Sequence, residues 1–161
     1  MTVLAIEDIG GEVVKQDDRY TVKDNTTLKN LVVSSTWLIA GKCTNGHAHP
    51  GQEEVYYFTQ GKGEIELITS NGERTRELVG PGSVVLIEDG VFHRVHNTGD
   101  FGLYFVCVFD GKRADKKYQY PSNVNDGSRV VETLVSTSSI IAGVDRVILN
   151  NVEPLVVDPC R

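Results

Sequence analysis

Hydrophobic and polar positions follow one rhythm from Leu31 to Gly111: a short apolar or alternating run, then a turn. The runs are LVVSSTWLIAG (31–41), EVYYFTQG (54–61), GEIELITSNG (63–72), RTRELVGPG (74–82), SVVLIEDG (83–90), VFHRVHNTGD (91–100) and FGLYFVCVFDG (101–111). They are rich in β-branched and aromatic residues, which suit a pleated, half-buried surface. They end at Gly, Asn-Gly, Pro-Gly or Asp-Gly, residues that supply positive φ or preset φ in tight turns. Helix signals are nearly absent. Seven strands at this spacing predict an all-β antiparallel sandwich or barrel.

The flanks differ in texture. Residues 1–30 are mixed and polar, with the turn-rich stretches DDRY and KDNTT. Residues 111–128 are again polar and loop-like, and apolar runs return over 129–157. One echo links the two halves: VVSSTWLIAG (32–41) and LVSTSSIIAG (134–143) share five of ten positions. The second copy has no histidines and could not repeat any chemistry of the first. The expected organisation is an N-terminal extension (1–30), a barrel (31–110) and a C-terminal extension (111–161) that packs on the barrel or on a partner chain.

Composition narrows the classes. The chain has 161 residues, 40% of them hydrophobic and 24% charged, which fits one globular domain with a real core rather than disorder. Twelve of the 16 glycines fall between Gly41 and Gly111, the strand-rich block. Sixteen basic against 22 acidic residues give a net charge of −6. Such a chain lacks the electrostatic footprint of a nucleic-acid binder and gives an anionic membrane nothing to attract. The basic cluster Lys112, Arg113, Lys116 and Lys117 reads as a solvated connector. The N-terminus has no basic start or long apolar stretch. Cys43, Cys107 and Cys160 are odd in number, widely spaced and form no CxxC. Free thiols in a reducing cytoplasm are expected.

Candidate chemistry lies in the histidines, all four of which fall between His47 and His96. His47 and His49 flank one alanine. Two residues apart on a strand, they would share a face about 6–7 Å apart. Glu54 opens the next run, and His93 lies 39 residues further on. Imidazoles and one carboxylate suit Fe, Mn, Ni, Co or Zn.

The segment GKCTNGHAHPGQEEVYYFTQG (41–61) resembles the first motif of the cupin superfamily, with Gly41, His47, His49, Glu54 and Gly61 in place. Glu53 also has an allowed spacing from His49, but only Glu54 is followed by six residues and then Gly. GSVVLIEDGVFHRVHN (82–97) resembles the second motif through Gly82, Gly90, His93 and Asn97, with Glu88 where the motif has proline. The resemblance implies a double-stranded β-helix, the cupin jelly-roll barrel. It also implies one divalent transition metal held by His47, His49, Glu54 and His93, and pairing of chains as a homodimer. A barrel turns alternate residues inward. On that parity His93, Val95 and Asn97 share one face, and Phe92, Arg94 and His96 the other, which keeps His96 away from the metal. Tyr56 and Phe58 face inward with Glu54, so Tyr56 is the candidate catalytic acid, base or hydrogen-bond donor. Trp37, Ile39, Tyr104 and Val106 are expected to line the barrel, Cys43 to be structural, and Lys29, Lys42, Lys62 and Arg94 to reach the rim. No inward arginine cluster is visible to grip a phosphate.

Four protein ligands leave about two positions of an octahedral ion for a small oxygen-rich molecule. Three functions follow. The first is isomerase- or lyase-type proton transfer on a sugar or other hydroxy-carbonyl compound, with the metal as Lewis acid. The second is a non-haem iron dioxygenase. The third is a non-catalytic module that binds a small ligand. An enzyme is favoured over a binder, and Tyr56 favours the isomerase or lyase.

Overall fold

The computed structural model describes residues 2–111. The expected C-terminal extension from 112 onward, its apolar runs and its echo of the first strand lie outside the described residues. The described chain forms β1 (Glu12–Gln16), β2 (Tyr20–Asn25), β3 (Leu31–Leu38), β4 (Glu54–Gln60), β5 (Gly63–Ile68), β6 (Arg74–Val79), β7 (Val84–Ile87), β8 (Phe92–Asn97) and β9 (Leu103–Asp110). Each of the seven runs read from the sequence contains one strand, β3 to β9. All pairings are antiparallel, in a six-stranded sheet of order β1-β2-β3-β9-β4-β7 and a three-stranded sheet of order β6-β5-β8. This is the expected all-β jelly roll.

β1 and β2 are absent from the sequence reading of residues 1–30. EVVKQ and YTVKDN carry few apolar residues, and β1 stays mostly exposed. What makes them strands is the edge of β3, whose backbone groups need partners: β2 pairs with it from Tyr20↔Leu38 to Asn25↔Val33. The DDRY turn does form. The Asp17 carboxylate accepts the backbone N–H groups of Arg19 and Tyr20 at 2.8 and 3.1 Å, closing the hairpin.

The core lies between the sheets. Tyr20, Leu38, Tyr56, Phe58, Leu103 and Phe105 from the large sheet meet Ile65 and Val95 from the small one. β4 alternates as expected, with Glu54, Tyr56 and Phe58 buried and Val55 and Tyr57 turned out. The expected lining by Trp37, Ile39, Tyr104 and Val106 does not hold. Trp37 and Ile39 are exposed, while Tyr104 and Val106 pack with Ile9 in a separate small cluster on the other face. Neighbouring residues Phe105 and Cys107 have the inward parity instead. An almost unbroken apolar strand such as LYFVCVFD offers no alternation from which to read its faces.

On the small sheet Glu66 is buried away from water, only 3% exposed. Arg74 Nη1 and Arg76 Nη2 approach one carboxylate oxygen at 3.3 and 3.4 Å, and His96 Nε2 approaches the other at 3.5 Å. The nearby His96 imidazole, opposed by burial and aided by both arginines, lowers the Glu66 pKa from 4.5 to about 2. A depressed carboxylate pKa stabilises the fold above the ordinary value and loses that contribution as pH falls. Glu66→Gln should therefore cost about 1–3 kcal/mol near neutrality, and the gap from wild type should close between pH 4.5 and 2. Urea denaturation across that range tests this; a gap independent of pH would refute the ion cluster as its source.

Candidate metal centre and its cavity

The two histidine-bearing segments meet through the backbone. The chain from Gly41 to His47 runs beside β8 without forming a regular strand. Asn97 N–H donates to Lys42 O at 2.8 Å and Thr44 N–H to Val95 O at 2.9 Å. His47 and His93 exchange both backbone bonds, N to O 3.0 and 2.8 Å. Gly46 permits this approach: its φ is +70°, and a Cβ there would sit 2.5 Å from the Phe92 ring. The His49 carbonyl then accepts the N–H groups of Gln52 at 3.2 Å and Gly90 at 3.3 Å, tying the two motif turns together. The turn at Glu88 closes without the proline, since Val91 N–H donates to Glu88 O at 3.1 Å. Asn97 acts as a clamp: its amide nitrogen donates to Leu38 O and Phe101 O at 2.9 and 2.8 Å.

These contacts gather His47, His49, Glu54 and His93, the four residues singled out from the sequence, into one cluster. The ring centroids of His47 lie 4.4 Å from those of both His49 and His93. His49 Nε2 stands 2.7 Å from Glu54 Oε1, and His93 Nε2 stands 3.8 Å from Glu54 Oε2. Glu53, the other spacing candidate, is exposed. His96 points to Glu66, away from the cluster.

The donor set fits a metal on two grounds. One ligand atom from each residue lies within 4.8 Å of all the others. An ion roughly 2.0–2.2 Å from each donor separates its ligands by about 3–4.4 Å, so a slight contraction suffices. The second ground is the His93 tautomer. Its Nδ1–H donates to Val91 O at 3.0 Å, which leaves the lone pair on Nε2. That nitrogen is buried, has no hydrogen-bond partner among the described residues, and faces a carboxylate oxygen. Lone pair against carboxylate is repulsive unless a cation lies between them. Burial holds the His93 pKa below that of a free imidazole. Burial, with His93, His49 and the Lys15 ammonium, lowers that of His47 to about 2. Neutral imidazoles are the form that binds metal.

Three members of the cluster, His47, His49 and Glu54, line a cavity of about 370 Å³. Tyr56 lines it, buried, with its ring 5.4 Å from the His93 ring and stacked on Phe105 at 5.2 Å. Ser34, Thr36, Thr44, Asn45 and Cys107 add to the wall, as do Lys15, Tyr20 and Asp24 from the β1–β2 hairpin. None of the expected rim cations, Lys29, Lys42, Lys62 or Arg94, lines this cavity. The hairpin residues were not foreseen, since nothing in a polar 30-residue segment marks it as part of the barrel wall. Cys107 is a free, buried thiol whose pKa burial pushes up, so it is a poor nucleophile. Cys43 is disulfide-bonded, so the expectation of free thiols holds for Cys107 but not for Cys43.

This chain is similar to known proteins. The cupin domain family matches residues 38–109. A glucose-6-phosphate isomerase of Thermococcus kodakarensis is 31% identical over 138 residues, spanning 78% of this chain and 71% of that protein. That of Pyrococcus horikoshii is 30% identical over 139 residues, spanning 78% and 72%. Among solved structures, CapF of Staphylococcus aureus superposes with a TM-score of 0.56 at 24% identity, over 66% of this chain and 33% of that one. Peruvianin-I from Thevetia peruviana latex gives 0.57 at 15% identity, over 67% and 71%. These two likenesses concern the fold. With both motifs, the jelly-roll sheets and the extended match to cupin-type relatives agreeing, the chain belongs to the cupin superfamily.

Proposed function

We propose that the protein is a metal-dependent cupin isomerase acting on a small sugar or related hydroxy-carbonyl compound. The observation that carries this reading is the placement of Tyr56 beside the three-histidine, one-carboxylate cluster in a cavity of substrate size. The resemblance to glucose-6-phosphate isomerases along most of the chain supports it over a dioxygenase or a binding module.

His47, His49, Glu54 and His93 would hold a divalent transition metal, which supplies Lewis-acid polarisation of the substrate carbonyl. Glu54 is committed to that cluster, so it is not the group that moves protons. Tyr56 is the proton-handling group: its hydroxyl, on a ring fixed by Phe105, relays the proton that leaves one carbon and arrives on its neighbour. The Val91 carbonyl holds His93 in the tautomer that keeps Nε2 facing the cluster. The buried aromatic wall of Tyr56 and Phe105 limits water at the reacting carbons.

The test is isomerisation in ²H₂O with the metal content measured alongside. The expected result is aldose–ketose interconversion that depends on bound divalent metal and washes deuterium into the product. Metal-dependent O₂ uptake without isomerisation would replace this function with that of a dioxygenase. Saturable sugar binding with no turnover would replace it with that of a binding module.

A further inference from the structure

β1 carries an irregularity that changes what the cavity contains. Glu12 and Val13 pair with Asp24 and Lys23, but Lys15 pairs with Val22, so Val14 is an extra residue in the strand. In an unbroken ladder Val14 would stand opposite Val22. One inserted residue turns the following side chain to the other face. Val22 packs against the barrel core, and Lys15 beside it lines the cavity. Without the bulge this ammonium would point outward.

Lys15 is the one lysine or arginine among the described residues of the cavity wall. It is half-buried. Its Nζ donates a hydrogen bond to the Tyr20 hydroxyl and lies 4.3 Å from the centre of that ring, so it is held in place. Two carboxylates, Asp24 and Glu54, share the wall. Among the described residues neither forms an ion pair with Lys15. A cation partly withdrawn from water without a counter-charge costs free energy, and an anion entering the cavity would offset that cost. Thr44, Asn45 and Gly46 line the same wall, and Asn45 N lies 3.5 Å from the Tyr20 hydroxyl that Lys15 holds.

We propose that Lys15 determines specificity at this site, holding the anionic group, phosphate or carboxylate, of a hydroxy-carbonyl substrate whose reacting end lies at His47, His49, Glu54 and His93. This rests on reading the cavity as the isomerase site. It assigns substrate selection to the β1–β2 hairpin, which lies outside residues 38–109 matched by the cupin family.

Calorimetric titration of the metal-loaded protein with glucose, glucose 6-phosphate and gluconate tests it without requiring turnover. Wild type should bind at least one of the two anions about tenfold or more tightly than glucose, the range expected of a charge-assisted hydrogen bond. Which anion is preferred identifies the group. Lys15→Met should abolish that preference and leave glucose binding and metal content unchanged, while Lys15→Arg should restore most of it. The proposal is overturned if neither anion outbinds glucose, if none of the three binds, or if Lys15→Met keeps the preference. Lys15-dependent anion binding without isomerisation would sink the isomerase reading alone. Isomerisation with an anion preference indifferent to Lys15 would sink the role of Lys15 alone.

Discussion

Replacing His93 by alanine should strip most of the metal from the protein, lowering its affinity by more than about a hundredfold. Groups that merely orient a ligand are worth roughly 10–100-fold in metal affinity, and His93 is proposed as a ligand itself. The loss is severe because no neighbour can take its place. His96, the nearest alternative in sequence, faces Glu66 across the sheet. The vacancy would also leave Glu54 Oε2, now 3.8 Å from His93 Nε2, without that facing group. Metal content after dialysis, measured by elemental analysis, reads the result directly, and circular dichroism checks that the variant is folded. A milder variant, His93→Gln, keeps the volume and guards against collapse of the buried site. Full retention of metal in both folded variants would overturn the ligand assignment.

The second large effect is expected at Tyr56. Tyr56→Phe removes one oxygen and keeps the ring that stacks on Phe105 and meets His93 edge-on. Packing is conserved, so thermal stability and metal content should change little. If the hydroxyl moves the proton, kcat should fall by about 10²–10⁴, the usual worth of a positioned acid or base. KM should move much less, because the hydroxyl acts on the proton in flight rather than on bound substrate. Turnover at the wild-type rate would reduce Tyr56 to a core aromatic. A parallel rise in KM with unchanged kcat would make it a binding group. The two variants are complementary, since His93→Ala should lose metal and activity together, and Tyr56→Phe activity alone.

The strands β3 to β9 were legible because each lies in a short run closed by a residue that turns the chain, and most of these runs are rich in β-branched or aromatic residues. The candidate metal cluster was legible because its members are rare residue types at fixed spacing: His-x-His, a glutamate five residues on, and a histidine in a second motif. The inward parity of Tyr56 and Phe58 followed from Glu54 by simple alternation, since β4 has one buried and one exposed face. Where alternation fails, the sequence misleads. In β9 nearly every residue is apolar, and the inward side chains are Phe105 and Cys107 rather than Tyr104 and Val106.

Sequence alone therefore determined the class, the positions of β3 to β9 along the chain and the identity of the candidate ligands, because these rest on local turn chemistry and residue type. It did not determine which residues complete the cavity. That depends on contacts distant along the chain. β1 and β2 become strands because β3 offers unpaired backbone groups, and their own composition gives no such signal. The segment carrying His47 is aligned not by a strand of its own but by backbone bonds to β8, 46 residues away at the His47–His93 bridge. Lys15 reaches the cavity through one extra residue in β1. A register shift of one residue reverses a side chain's face, and only the paired strand shows which register is adopted.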